Sequence, residues 1–227
     1  MFTRKMILGI VWNFATFGLA LFVPAGTIHW WRAWVLMGVL LVTTTFTMVA
    51  VLRTREGLLK ERMKGLIQKG QPWVDRVILL VFVAAYGASL VLIPFDVFHW
   101  HLLPKPNVWV SSLGLALVVV GWLIITLVFR ENAFAAPVVR HQAEREHKVV
   151  DTGVYAIVRH PMYVGIFLFN VGIALWLESY AAAIATLVPM SVLALRILFE
   201  ERFLRRELNG YEDYTRRVRY RLVPFVW

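Results

Sequence analysis

Uncharged and mostly apolar stretches recur at residues 6–28, 33–52, 77–95, 108–129, 161–177 and 179–195, so that all of the formal charge falls outside them. Each is long enough to cross a hydrocarbon layer ~30 Å thick as an α-helix, which needs about 17 to 25 residues. The alternating pattern of a transmembrane barrel is missing, and helices are the other form that satisfies its own backbone groups in lipid. The pattern predicts an all-α, polytopic integral membrane protein of about six transmembrane helices. Only Glu178 beside Ser179 separates the last two, which predicts a tight C-terminal helical hairpin followed by a cytosolic C-terminal segment. The first run follows Arg4 and Lys5 and ends near Pro24-Ala25-Gly26, as a signal peptide would. It is long for a signal core and is read as a retained span.

The basic residues set the orientation. Arg4 and Lys5 precede the first stretch; Arg53, Arg55, Lys60, Lys64 and Lys69 lie between the second and third; Arg130, Arg140, Arg145, Lys148 and Arg159 follow the fourth. The other connections carry only Arg32 and Lys105. Every basic connection therefore falls on one face, which the positive-inside rule makes cytoplasmic, with both termini on it. The expected location is a multi-pass protein of a prokaryotic cytoplasmic membrane.

Composition agrees with this reading, since 59% hydrophobic and 17% charged residues in 227 are too apolar for a soluble domain. Zero cysteines remove disulfides and thiolate ligands, and no metal site is expected. A net charge of +10 would suit nucleic acid in a soluble chain. Here Arg216, Arg217, Arg219 and Arg221 of the tail are explained by anionic lipid headgroups, so the bilayer is the expected partner and nucleic acid is not. Segment 54–73 mixes Leu58, Leu59, Met63, Leu66 and Ile67 with Lys60, Arg62 and Lys64, and is expected to lie in the headgroup layer as an anchor. Trp30, Trp31, Trp34, Trp100, Trp109, Trp176 and Trp227 stand near span ends, where indole favours the interface.

Polar groups at or below a membrane surface are costly, which makes them candidates for function. One cluster runs from His147 through Lys148, Val149, Val150 and Tyr155 to Arg159-His160-Pro161-Met162-Tyr163 at the mouth of the fifth span. Pro161 suits a first helical turn and would place His160 among unpaired backbone donors. The other cluster ends the sixth span. Arg196 and Glu200, four residues apart, share a helical face, while Glu201 turns about 100° away. Such a pair reads either as an intrahelical ion pair or as a site holding an anionic and a cationic ligand side by side.

Residues 108 to 227 carry five blocks in order: His147-x-x-Val150, Gly153-Val154-Tyr155, Arg159-His160-Pro161-Met162-Tyr163-Val164-Gly165, Arg196-Ile197-x-x-Glu200-Glu201, and a Gly210-Tyr211-x-x-Tyr214 tail leading to Pro224. In these blocks the chain resembles the isoprenylcysteine carboxyl methyltransferase family and its phospholipid-methyltransferase-like bacterial relatives. The resemblance implies an S-adenosylmethionine-dependent methyltransferase acting on an amphiphilic or lipid-like acceptor, most directly by O-methylation of a carboxylate. It further implies that His147, Lys148, Val149, Val150, Tyr155, His160, Pro161, Met162, Tyr163 and Glu200 surround the cofactor and that Arg196 binds the acceptor carboxylate. Glu200 and Glu201 would join Arg196 as catalytic candidates, with Glu201 or His160 the base for an amine acceptor. Where prenyl-protein members carry a Gln before the His-x-x-Val block, Arg140 stands at the apparent spacing and Gln142 two residues later. On this reading residues 1–107 are N-terminal transmembrane helices and 108–227 the methyltransferase core. Phospholipid amine N-methylation and an NADPH-dependent sterol-reductase-like activity are the alternatives.

Overall fold

A computed structural model describes residues 2–52, 55–140, 142 and 145–227. Arg53 and Thr54, and the side chains of Arg4 and Lys5, lie outside the described residues. The described residues are helical without strands: α1 (Phe2–Ala25), α2 (Trp31–Thr47, continued by a π turn Met48–Leu52), α3 (Glu56–Arg62), α4 (Trp73–Phe95, continued by a π turn Asp96–Trp100) and α5 (Val108–Glu131). A 3-10 turn (Gly153–Ala156) then precedes α6 (Pro161–Trp176), α7 (Tyr180–Ala185), α8 (Leu187–Glu207) and α9 (Tyr211–Arg217).

Five stretches are long and apolar enough to cross a membrane: Ile7–Ala25, Trp31–Val51, Trp73–Trp100, Val108–Glu131 and Tyr180–Glu207. The expected fifth span is shorter, a helix of 16 residues. At ~1.5 Å per residue it covers about 24 Å. Its limits are local chemistry. Pro161 opens it at the position where a missing N–H costs nothing. Glu178, at φ 68°, closes it in a left-handed cap, with Ser179 N donating to Ala174 O and Glu178 N to Leu175 O. Ser179 Oγ then accepts from Ala182 N to start α7, and the break before α8 falls at Thr186, just after Ala185, whose carbonyl finds no N–H on Pro189 four residues on.

The hairpin is less tight than expected. From the α6–α7 turn, α6 runs along α5 and α8 runs along α4, so the two arms part. Glycine explains the preference. Gly114 and Gly121 of α5 face Gly172 and Gly165 of the antiparallel α6. A Cβ built on Gly121 would stand 2.6 Å from the Gly165 carbonyl oxygen, and one on Gly114 2.5 Å from the Trp176 nitrogen. Without side chains the backbones touch, which is how helices gain packing energy where lipid removes any hydrophobic drive between them.

The basic connections meet at one end of the bundle. Arg55 donates to the Arg130 carbonyl, Arg62 Nη1 to Ala135 O at 3.0 Å, and Arg159 Nη1 to Val218 O at 2.7 Å. At the opposite end His99 Nε2 lies 2.7 Å from Pro24 O, and Arg32 bonds Trp176 O and Glu178. Trp31, Trp34, Trp100 and Trp109 are exposed at helix ends, whereas Trp30 and Trp176 are buried. Trp176 differs because its indole packs under the Arg32 guanidinium and donates to Arg32 O at 2.8 Å. Within the segment expected to lie in the headgroup layer, Leu58 and Leu59 of α3 are buried against Val51, Val128, Phe129 and Ala135, so α3 docks on the end of α5, while Met63, Leu66 and Ile67 are exposed.

Candidate active site

The parting of α6 from α8 leaves a cavity of about 290 Å³ at the basic end, close to the lower bound of the ~300–1,000 Å³ usual for small-molecule sites. The connection from α5 to α6 forms one wall and brings His147, Lys148, Val149 and Val150 to it, while the tail adds Tyr211 and Tyr214. Tyr155 and the first turn of α6, His160 to Tyr163, form the floor, and α8 contributes Arg196 and Glu200. Leu79, Phe82 and Val83 of α4 complete the apolar side. Arg140 and Gln142 both line it. Gln142, almost fully buried, donates to Phe134 O and accepts from Arg145 Nη1.

Glu201 stands apart from the other candidates and does not line the cavity. One residue beyond Glu200 it points behind the wall, where Arg159 Nε donates to Oε1 at 2.7 Å and Arg221 Nε to Oε2 at 3.1 Å, with His160 Nε2 3.1 Å from Oε1. Arg159 N and His160 N donate to Tyr220 O and Arg221 O. One buried carboxylate thus ties α8, the α6 entrance and the tail together.

The two inward groups of α8 are only partly engaged. Arg196 Nε donates to Asp75 Oδ1 at 2.9 Å and Nη2 to Pro137 O at 2.7 Å; Nη1 has no partner among the described residues. Glu200 Oε2 accepts from Tyr163 OH at 2.6 Å, and its other oxygen has none there. Tyr163 stacks parallel to His160 with ring centres 5.6 Å apart. Tyr155 OH accepts from Asn132 Nδ2 at 3.0 Å, and burial pushes the Tyr155 hydroxyl well up, so it serves as a neutral group. One cavity can therefore take an anion at Arg196 and a cation at Glu200, one helical turn apart.

Sequence reasoning missed Asp75. Fully buried, it accepts from Arg196, from Gln71 Nε2 at 2.7 Å and from Val139 N at 3.0 Å. The available signal was an acid in the first turn of an apolar helix, where the helix dipole favours it. Glu61, near the C-terminal end of α3, is a second buried acid that sequence reasoning did not single out: Arg140 Nη2 donates to it at 2.8 Å and Lys64 also bonds it. Burial raises the Glu61 carboxyl, but the hydrogen bonds from Lys64 and Arg140 outweigh burial and hold it below its ordinary value. A carboxyl lowered on folding stabilises above its unfolded pKa and loses that contribution as pH falls through the folded one. Glu61→Gln is therefore expected to show a smaller loss of melting temperature than the parent between about pH 5 and pH 3.

A family model for phospholipid methyltransferase matches residues 109–209. Protein-S-isoprenylcysteine O-methyltransferase B of Arabidopsis thaliana is 32% identical over 151 residues, which cover 65% of this chain and 72% of that protein. A probable protein-S-isoprenylcysteine O-methyltransferase of Oryza sativa subsp. indica is 35% identical over 122 residues, 52% of this chain and 63% of that one. The fold is similar to the solved structure of a eukaryotic intramembrane Ras methyltransferase, isoprenylcysteine carboxyl methyltransferase, at a TM-score of 0.55 and 20% identity, covering 93% of this chain and 75% of that one. Fold and relatives together define a multi-pass integral membrane methyltransferase. More narrowly, the chain belongs to the isoprenylcysteine O-methyltransferase family.

Proposed function

We propose that this enzyme methylates the carboxylate of a lipid-like acid of the isoprenylcysteine type, using S-adenosylmethionine, on the cytoplasmic side of a prokaryotic membrane. The observation that carries the reading is the pairing, in one cavity walled partly by apolar residues of α4, of an Arg196 Nη1 and a Glu200 oxygen that have no hydrogen-bond partner among the described residues. The lining suits the donor: a carboxylate for its positive part, neutral buried tyrosines, and apolar Met162, Leu204 and Leu208 for the nucleoside. The Glu200 oxygen without a partner supports that fit, since a cationic ligand would satisfy it.

When bound, S-adenosylmethionine supplies a methyl carbon activated by sulfonium: an acceptor oxygen bonds to it as the S–C bond breaks, and the electron pair stays on sulfur. A carboxylate brings no proton to remove, so no general base is required. Arg196 Nη1 orients the acceptor through a charge-assisted hydrogen bond, and the Tyr163 hydroxyl holds the Glu200 carboxylate in place. Glu201 acts as the fastener behind the wall. The α5–α6 connection and the tail wall the site, so catalysis rests on positioning the two reactants against each other. An amine acceptor fits less well, because its positive charge would face Arg196. The exposed Arg216, Arg217 and Arg219, with Phe225 and Val226 beyond them, would rest the tail on anionic headgroups.

Detergent-solubilised protein given labelled donor is expected to form a base-labile methyl ester on an S-prenylcysteine acid and none on phosphatidylethanolamine; label in the phospholipid alone would overturn the carboxylate reading. S-adenosylhomocysteine, and not NADPH, is expected to raise the melting temperature, the binding contributing ~2.7 kcal/mol at a hundredfold excess over Kd. Glu200→Gln is expected to weaken S-adenosylhomocysteine binding about tenfold, as the loss of a charged hydrogen-bond partner would. Calorimetric titration of the two proteins checks it.

A further inference from the structure

Asp75 belongs to no matched block, yet it sits at the electrostatic centre of the site. It projects from the first turn of α4, and its fully buried side chain lies 2.9 Å from the guanidinium, where burial leaves the attraction weakly screened. Its second oxygen is fixed by Gln71 Nε2 and Val139 N, so the carboxylate is held facing Arg196 by the connection before α4 and the connection after α5. Arg196 is clamped on two nitrogens, by Asp75 and by Pro137 O, and among the described residues nothing occupies Nη1, which is left for a ligand.

We propose that Asp75 is a positioning residue that sets how strongly Arg196 holds the acceptor, sharing its charge so that the carboxylate is aimed without being over-stabilised. The inference rests on the carboxylate reading above. The physical reason lies in where the acceptor's charge goes. As its oxygen bonds to the methyl carbon and the sulfonium leaves as a neutral thioether, the carboxylate loses its negative charge. An unshared guanidinium would therefore stabilise the charged ground state more than the partly neutralised transition state, lowering KM and kcat together. A guanidinium already paired with a buried carboxylate keeps its geometry but exerts less net attraction.

Asp75→Asn keeps the shape and removes the charge. In the full-length protein in detergent, its Kd for an N-acylated S-prenylcysteine acid, measured without methyl donor, is expected to tighten on the order of tenfold, with KM falling alongside and kcat falling by a similar factor. Binding of the corresponding methyl ester, which carries no charge, is expected to stay unchanged. Gln71→Met should move the acid the other way. It removes a donor to Asp75, throws more of that charge onto Arg196, and is expected to weaken acid binding several-fold, about as one lost hydrogen bond would. If Asp75→Asn does not survive extraction, the Gln71→Met shift alone decides. A merely structural Asp75 would leave Kd and KM unmoved in the folded fraction while kcat fell with the amount of folded protein, and that result would overturn the inference. Failure of the parent enzyme to bind or methylate the acid would instead overturn the carboxylate reading, and this inference with it.

Discussion

Arg196→Ala is expected to lower kcat/KM for an S-prenylcysteine acid by about two orders of magnitude, the equivalent of ~2.7 kcal/mol, while S-adenosylhomocysteine binds as before. The loss has two sources that must be separated. The first is the Nη1 donor, which has no partner among the described residues and which no neighbour replaces. The second is Asp75, which truncation would strand as a buried charge held only by Gln71 and Val139. Breaking a buried pair from one side costs about 3–5 kcal/mol, enough to unfold much of a marginal protein. Pairing Arg196→Met with Asp75→Asn removes that stranded charge, so the double variant is expected to recover melting temperature without recovering activity. Recovery of activity by the double variant would remove Arg196 from acceptor binding. Steady-state kinetics alongside thermal denaturation distinguishes these outcomes.

Much of the fold was legible because in a membrane the period of apolar residues and the placement of charge are nearly the whole of the local physics. Apolar runs announced the helices, and lysines and arginines sorted the connections into the two ends seen in the bundle. Helix pairing was not legible in the same way. Sequence adjacency predicted that the last two helices would pair closely, but partner choice follows surface shape, and glycines seven apart on α5 and α6 let those two backbones meet while α8 went to α4. The motifs named residues that converge on one cavity because the first turn of α6 and one face of α8 meet there, and the connection from α5 folds back to bring His147 to Val150 and Tyr155 to the same place. Glu201 illustrates the limit: adjacent to Glu200 in sequence, it is separated from it by the helix's own rotation and spends both oxygens on Arg159, His160 and Arg221. Asp75 was invisible for the opposite reason. It lies 121 positions from Arg196, in a part of the chain where no motif matched, and only the packing of α4 against α8 brings the pair together.

The same contact between α5 and α6 should make Gly121→Leu the most damaging single change outside the cavity. A Cβ there would stand 2.6 Å from the Gly165 carbonyl oxygen and 2.7 Å from the Phe169 nitrogen. Those are backbone atoms of a neighbouring helix, so no side chain can swing aside and the helices must separate. Overpacking a well-filled core costs about 1–3 kcal/mol, and a leucine asks for several atoms of space where none exists. With α6 only 16 residues long and held chiefly along α5, Gly121→Leu is expected to abolish recovery of monodisperse protein. Gly121→Ala, the milder step, reports on function. Shifting α6 shifts His160, Pro161, Met162 and Tyr163 with it, and a misplacement of ~1 Å at a reacting centre costs on the order of a hundredfold in rate. Gly38 and Gly87 supply the contrast: in both, a new Cβ meets nothing within 4 Å, so alanine there is expected to be neutral or to stabilise by ~0.5–1 kcal/mol through helix propensity. Melting temperature and turnover measured on the three alanine variants check this, and a Gly121→Ala protein indistinguishable from Gly87→Ala would mean that the α5–α6 seam can open without moving the site.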